Sequence, residues 1–164
     1  TQYAKEAFER YKADAVTANP YMWSDTLKPY MKDGKWVFVL CKTSNSWSGD
    51  FQDLRLANGR TLYEEVAWRA KESWSKEGNV GLVVWATHPE QAKDIRKIVG
   101  DDIVFLVPWV GAQWADVQKT IESTKNSHGT GIIVNSSRAI LYPEDGQTSR
   151  EVAMATRYEI NKYR

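Results

Sequence analysis

The chain has 164 residues, enough for one domain over residues 1–164 with a buried core, and its 22 basic and 21 acidic side chains leave a formal net charge of +1. This balance gives no electrostatic basis for binding nucleic acid or an acidic membrane surface, and no apolar run approaches the roughly 20 residues of a membrane helix. Cys41 is the one cysteine, which excludes an internal disulfide and is compatible with a cytoplasmic protein.

Helical and strand patterns alternate from the start of the chain. Residues 3–12 predict an amphipathic helix. The apolar stripe of this helix comprises Tyr3, Ala7, Phe8 and Tyr11. Residues 13–21 predict a short strand, and residues 24–34 predict a helix with Ser24 or Asp25 as its N-cap.

The rest of the chain continues this alternation. Apolar strand patterns lie at residues 35–44, 80–87, 102–110 and 130–141. Helical patterns lie at residues 59–78, 88–100, 114–129 and 149–164. In the first of these helices Leu62, Val66 and Trp74 recur at near-helical spacing, while Pro89 and Gly100 mark the start and end of the second.

Five strands that alternate with helices predict an α/β fold of parallel strands joined by right-handed crossovers. Since five strands do not complete an eight-stranded TIM barrel, the chain corresponds to a partial (β/α) barrel or to an open doubly wound sheet. A partial sheet has two open edges, and open edges favour pairing with another chain. We therefore expect a homo-oligomer, with a rearranged monomer, in which an edge helix covers the gap, as the alternative.

The strand ends are rich in tryptophan, at the edge where parallel α/β proteins bind ligands. The five ends read NPYMWSD, CKTSNSWSGD, VVWATHPE, VPWVGAQW and VNSSRAI. The tryptophans in these segments are Trp23, Trp47, Trp85, Trp109 and Trp114. The other three, Trp36, Trp68 and Trp74, fit strand or helix packing. Because each indole buries a large apolar area, the cluster indicates apolar filling or an aromatic contact surface.

The same strand ends carry a family resemblance. The segments FVLCKTSN, DFQDL, GLVVxATxPE, FLVPxVGAQ and IIVNSSRAI follow one another in the order and spacing of the orotidine 5'-phosphate decarboxylase family. The chain resembles that family's TIM barrel from about its fourth strand to its last helix. The resemblance implies a lyase of pyrimidine synthesis, which converts orotidine 5'-monophosphate (OMP) to uridine 5'-monophosphate (UMP) and carbon dioxide.

The resemblance also implies site residues. Ser44 would hydrogen-bond the pyrimidine, while Gln113 and Arg138 would hold the phosphate with help from backbone N–H groups near Ser136 and Ser137. The chemistry agrees, because a guanidinium binds phosphate through paired, charge-assisted hydrogen bonds. Alternatives stay open: the arginine as a surface charge, the glutamine as a solvated side chain and the serines as turn or cap residues.

The sequence departs from the family in its catalytic residues. The family carries a Lys on one early strand and an Asp-x-Lys-x-x-Asp motif on the next, and that motif occurs nowhere in these 164 residues. The reaction needs an ammonium to protonate the carbon that loses carbon dioxide. Lys42 is a weak substitute because the family pattern itself includes it. We therefore assign no catalytic residue and expect a truncated, inactive barrel fragment.

A second departure concerns the five strand-end tryptophans, which stand where the family pattern has Gly or, near Trp47, Pro. Glycine in such loops lets the backbone approach phosphate. We interpret the five indoles as engineered substitutions that fill the ligand site, which makes nucleotide binding doubtful. The alternatives are a decarboxylase half that works with a complementary barrel fragment, and a module that binds a flat apolar ligand or a protein in an aromatic pocket.

The remaining reactive side chains do not form a recognisable centre. His88 precedes a predicted helix start, and His128 lies in a predicted turn. Two isolated histidines and one cysteine have no metal-ligand spacing. The HGTG segment lacks the strand–loop–helix context of a phosphate loop. We therefore expect neither a metal nor a cofactor.

Overall fold

The structure, a computed structural model, describes residues 1–32, 34–85, 87–108 and 117–164, without the side chains of residues 22 and 23. It contains one sheet with the strands in chain order, all of them parallel. The strands are β1 (Ala15–Ala18), β2 (Trp36–Lys42), β3 (Asn79–Val84), β4 (Val104–Pro108) and β5 (Ile132–Asn135). The predicted α/β fold with five parallel strands is confirmed.

Helices connect these strands. They are α1 (Gln2–Lys5), α2 (Trp23–Leu27), α3 (Gly49–Gln52), α4 (Leu62–Glu72), α5 (Pro89–Val99), α6 (Val117–Thr124), α7 (Ser137–Leu141) and α8 (Ser149–Asn161). A π-helical turn spans Glu6–Arg10, and 3-10 turns span Pro20–Met22, Lys28–Tyr30 and Trp74–Lys76. Within the described ranges, no helix combines the length and the apolar character that a membrane span requires.

The main core lies between one face of the sheet and helices α4 and α5. Its side chains come from alternate positions of β2 and β3, because successive strand residues point to opposite faces. They pack against small and branched residues of the two helices. The buried strand residues are Val37, Val39, Cys41, Val80, Leu82 and Val84, and the helical ones include Ala67, Ala70, Ala92, Ile95 and Val99.

The opposite face of the sheet carries an aromatic pair. The rings of Trp36 and Phe38 stack with their centroids 5.9 Å apart. Phe38 lies over Gly81 of the neighbouring strand, where a Cβ atom would come within 2.4 Å of the phenylalanine ring. The glycine therefore makes room for the aromatic side chain of β2.

The first helix differs from its predicted pattern. Ala4 and Phe8 are buried, whereas Tyr3 and Tyr11 are exposed. The chain changes from α-helix to a π-helical turn at Glu6, and a π turn takes up more residues than an α turn. The predicted stripe of four residues at α-helical spacing is therefore wrong at its two tyrosines.

Other boundaries also differ. Helix α2 begins at Trp23, so Ser24 and Asp25 lie inside it, and Pro29 follows in a 3-10 turn. The hydroxyl of Ser24 accepts a hydrogen bond from the indole N–H of Trp74 at 3.0 Å. The prediction for residues 59–78 is too long, because α4 ends at Glu72. The prediction for residues 130–141 merges strand β5 with the short helix α7, and helix α3 was missed.

Candidate functional site

The expected site residues lie at the carboxyl edge of the sheet. Ser44 follows β2, while Ser136, Ser137 and Arg138 follow β5, with β3 and β4 between the two groups. Since the strands are parallel, their carboxyl ends lie along one edge, which is where the fold places ligands. The expected phosphate contact Gln113 lies outside the described residues.

The junction of β5 and α7 brings three of these residues together. Ser136 is buried and occupies the N-cap position of α7, although its side chain makes no capping hydrogen bond. The hydroxyl of Ser137 donates to Oδ1 of Asn135 at 3.2 Å. Arg138 is exposed in the first turn of the helix. A guanidinium and two hydroxyls at one strand end are groups that suit an anionic ligand.

The end of β2 contains an ion pair between a buried lysine and a partly exposed aspartate. Lys42 is only 1% exposed, and its Nζ donates to Oδ1 of Asp53 at 2.7 Å. The same carboxylate oxygen accepts from Nε2 of Gln91 on α5 at 3.2 Å. The Lys42 ammonium also lies 5.6 Å from the ring centroid of Tyr63 on α4. These contacts satisfy a charge that would be costly to bury alone.

A register shift in the pairing of β2 with β3 precedes this lysine. Leu40 pairs with Val83 and Lys42 pairs with Val84, so Cys41 is an extra residue in β2. Bulges of this kind redirect the following side chain. Lys42 consequently reaches the start of α4, and its ammonium is held by Asp53. This arrangement argues against a proton-donating role for the lysine.

The loop after β2 is attached to the strand by a second set of contacts. The backbone N–H of Thr43 donates to Oε1 of Gln52 at 3.0 Å, and Nε2 of Gln52 donates to the Thr43 hydroxyl at 2.8 Å. Sequence reasoning missed Gln52, Asp53 and Gln91. A lysine at the end of an apolar strand could have indicated a buried partner, but nothing in the sequence identified which carboxylate it was.

The two histidines have different surroundings. Burial, together with the nearby Lys42 charge, lowers the pKa of His88 from its usual range, so this imidazole is neutral at pH 7. His128 is exposed, with its Nε2 4.0 Å from a carboxylate oxygen of Asp101. In the part of the chain that the structure describes, no group of three or more His, Cys, Asp and Glu side chains could hold a metal ion.

The tryptophans fall into different environments. Trp74 is buried, as the packing role predicts. Trp85 is half-buried, and its backbone N–H donates to the carbonyl of Lys42 at 3.1 Å. Trp47, in contrast, is 75% exposed, so its indole does not fill an apolar interior. The indole of Trp23 and the whole of residues 109 and 114 lie outside the described residues.

A cavity of about 230 Å³ lies between the ends of β1 and β2 and helix α4. Apolar side chains of Leu62, Val66 and Trp74 line it. Its polar lining residues include Thr43, Gln52, Glu65 and Arg69. Beside it, the exposed rings of Tyr21 and Phe51 meet edge to face with centroids 6.2 Å apart. The cavity thus combines apolar walls with polar and charged groups from α4 and from the loop after β2.

Comparison with known proteins gives a consistent result. Residues 1–152 match the model of the Orotidine 5'-phosphate decarboxylase / HUMPS family. The orotidine 5'-phosphate decarboxylases of Ralstonia nicotianae and Ralstonia pickettii are each 48% identical to the chain over 167 aligned residues, which cover 99% of it. The chain spans 61% of the length of these two relatives.

Solved structures agree in fold. The OMP decarboxylase of Leishmania donovani superposes with a TM-score of 0.88 at 40% identity, covering 99% of this chain and 61% of that one. The UMP synthase of the same organism superposes with a TM-score of 0.90 at 42% identity, covering 99% of this chain and 36% of that one. With the family pattern running through residues 1–152 and the same fold in its solved members, the chain belongs to the orotidine 5'-phosphate decarboxylase / HUMPS family.

Proposed function

We propose that residues 1–164 form a single α/β domain that carries the base- and phosphate-contacting part of an orotidine 5'-phosphate decarboxylase barrel. The observation that carries this proposal is the placement of Ser44 and of Ser136–Arg138 along one carboxyl edge of a sheet with this family's fold. Ser44 would hydrogen-bond the pyrimidine, whereas Arg138, assisted by Gln113, would hold the phosphate.

We further propose that the chain is inactive as a decarboxylase by itself. The 164 residues contain no Asp-x-Lys-x-x-Asp motif, so the ammonium that protonates the substrate carbon has no source in them. Lys42 does not supply it, because its ammonium is buried and bonded to Asp53. The carboxylates and the ammonium that alternate in the family's mechanism would have to come from elsewhere.

Two measurements on the purified chain test this proposal. Release of carbon dioxide from OMP is expected at the uncatalysed rate, whereas an NMR titration with UMP is expected to give weak binding that Arg138→Met removes. Decarboxylation above background would contradict the inactivity. Shifts that Arg138→Met leaves unchanged would contradict the assignment of the phosphate contact.

An alternative proposal is a decarboxylase half that needs a complementary fragment. Strands β1 and β5 each have one hydrogen-bonded neighbour among the described residues, so each has an edge available for another strand. The test mixes the chain with the part of the Ralstonia pickettii relative that it does not match. Decarboxylase activity that requires both pieces would support complementation. Stable association of the two pieces without activity would count against it.

We also propose that the five strand-end tryptophans were introduced by design in place of small residues. Support comes from the family pattern, in which glycine or proline stands at these positions. Replacing Trp109 and Trp114 by glycine should then strengthen UMP binding. The exposed side chain of Trp47 and the exposed pair of Tyr21 and Phe51 support a different function, an aromatic surface that binds a flat apolar ligand. In that case Trp47→Ala would abolish binding of a probe such as indole.

A further inference from the structure

Two pairs of neighbouring residues join the two ends of the loop after β2: Asp53 binds Lys42, and Gln52 binds Thr43. Asp53 accepts the Lys42 ammonium at 2.7 Å, and Gln52 bonds both the backbone N–H and the hydroxyl of Thr43 at 3.0 and 2.8 Å. The two ends of the segment 44–51 are therefore held close together. We call the four residues 42, 43, 52 and 53 the neck clamp.

Burial of the Lys42 ammonium makes the clamp costly to open, although Asp53 itself is 41% exposed. Lys42 is 1% exposed, so separating its ammonium from Asp53 would leave a charge in a site shielded from water. Gln91 of α5 donates to the same Asp53 oxygen, and the ring centroid of Tyr63 lies 5.6 Å from the ammonium. The clamp is thereby attached to both α4 and α5, the helices that pack on the main core.

Ser44 is the first residue inside the clamped loop, and it is half-buried. Its neighbours are fixed on both sides. The Thr43 hydroxyl donates to Oδ1 of Asn45 at 2.6 Å, and the Asn45 carbonyl accepts from the Ser48 N–H at 2.9 Å. The backbone of Ser44 is thus held by these restraints, and no described residue forms a hydrogen bond with its hydroxyl that would compete with a ligand.

We propose that Gln52 and Asp53 are positioning residues for base recognition: they fix the neck of the loop so that the Ser44 hydroxyl is pre-aligned with the pyrimidine. This inference rests on the proposed function, because it takes Ser44 as the base contact. Preorganisation of this kind matters because a contact group displaced by a fraction of an ångström loses much of its binding contribution. Neither residue needs to touch the nucleotide.

The test uses Gln52→Met, which keeps the length of the side chain but removes both bonds to Thr43. Gln118→Met is the matched control, since Gln118 is an exposed glutamine of α6 that bonds only Glu122 among the described residues. Amide hydrogen exchange in residues 43–51 should become about tenfold faster in Gln52→Met and stay unchanged in the control. Unchanged exchange in Gln52→Met would overturn the clamp itself.

Binding of two probes separates base contacts from phosphate contacts. Gln52→Met and Ser44→Ala should each weaken UMP binding by about tenfold, and the double variant should be no weaker than either, because both act through one contact. Affinity for ribose 5-phosphate, which has no base, should not change. An additive double variant, or an equal loss for ribose 5-phosphate, would overturn the positioning role.

Failure of the proposed function gives a different result. If the unaltered chain binds neither UMP nor ribose 5-phosphate, the base contact fails, and the positioning role is overturned with it. Hydrogen exchange would still decide whether the clamp holds the loop.

Lys42→Met combined with Asp53→Leu provides a second variant that removes the ion pair without leaving a buried charge, and it should accelerate exchange in the same segment.

Discussion

Among the described residues, the side chain of Arg96 forms the largest number of hydrogen bonds. Its guanidinium donates to the carbonyl oxygens of Gly100, Ile103, Thr124 and Gly131, and its Cζ lies 3.7 Å from the ring centroid of Phe105. Burial lowers the pKa of this guanidinium to about 10, so it is charged at neutral pH. Arginine joins chain segments at the edge of the sheet opposite the candidate site, where a lysine could not reach four acceptors.

Replacing Arg96 by lysine is expected to lower the free energy of unfolding by about 2–3 kcal/mol, because several buried carbonyl groups lose their donors. Urea denaturation followed by circular dichroism measures this change. Arg150→Lys, at an exposed position of α8, is the control and should have no effect. A loss in Arg96→Lys no larger than in the control would show that water replaces the guanidinium at little cost.

Glu65 on α4 is another charged residue that stabilises the fold. Burial acts to raise the pKa of its carboxyl, but hydrogen bonds from Arg69, Asn58 and Arg60 outweigh it, so the pKa lies below its usual value of 4.5. A carboxyl with a lowered pKa stabilises the folded state above its unfolded pKa, and that stabilisation is lost as the pH falls through the folded value.

The expected result is a free energy of unfolding that declines below about pH 4.5, more steeply for the unaltered chain than for Glu65→Gln. At pH 7 the variant should be less stable by about 1–2 kcal/mol, since charged hydrogen bonds become neutral ones. Urea titrations between pH 7 and pH 3 measure both effects. Glu122→Gln changes an exposed carboxyl and should follow the unaltered chain; parallel pH profiles for all three proteins would contradict the assignment.

Among the secondary structure elements, the strands were the most predictable. Their apolar runs are bounded by polar or glycine-containing segments, and that pattern depends on local sequence alone. Helix α5 was equally clear, because Pro89 begins it and Gly100 follows it with a positive φ of 72°. The π-helical turn after α1 and the short helices α3 and α7 were not predictable, since tertiary contacts rather than periodicity decide them.

The candidate site was predictable only in part, because some of its contacts depend on tertiary structure and not on local sequence. Ser44 and Arg138 lie at strand ends that the sequence located, so their edge of the sheet followed from the parallel order. The partners of Lys42 did not follow, because a one-residue bulge at Cys41 and the return of the loop to β2 bring Asp53 to the ammonium. No local pattern encodes that approach.

The contact between β2 and β3 gives a prediction about elements. In Gly81→Ala the new methyl group would lie 2.4 Å from the Phe38 ring and 2.8 Å from the Val104 carbonyl oxygen. Overpacking of this kind should destabilise the fold by about 1–3 kcal/mol. Phe38→Leu in the same chain should recover part of that loss, because the smaller side chain yields to the methyl group. Thermal unfolding of the two single variants and the double variant measures the coupling; strictly additive losses would contradict the steric explanation.

At the scale of the whole molecule, we expect the two outer strands of the described sheet to determine whether the chain self-associates. Both β1 and β5 are four residues long, and alternate side chains on each are exposed. In a parallel sheet, the edge of β5 in one copy can pair with the edge of β1 in another, and two such contacts close a ring. Self-association would thus cover both edges at once.

Light scattering across a concentration series is expected to give a mass of at least two chains. A mass near 18.8 kDa at every concentration would instead mean that the chain closes its own edges.

Lysine or proline placed at Thr17 or Ile133 should shift the equilibrium towards the monomer, because both substitutions discourage edge pairing. An unchanged mass in these variants would locate the contact elsewhere, for example on the exposed aromatic side chains near Trp47.

The place of Cys41 in β2, on the same face as Val37 and Val39, also determines the chemistry of the only thiol. Cys41 is directed into the main core, where its Sγ donates to the Tyr63 carbonyl at 3.3 Å, and burial raises the pKa of the thiol far above its usual range. The protonated sulfur is a poor nucleophile and only 3% exposed, although Cys41 lines the cavity beside α4, so oxidants and alkylating reagents should react with it slowly unless the sheet separates from that helix. The rate of alkylation at Cys41 therefore reports how often the sheet and α4 separate, and its measurement needs no added label.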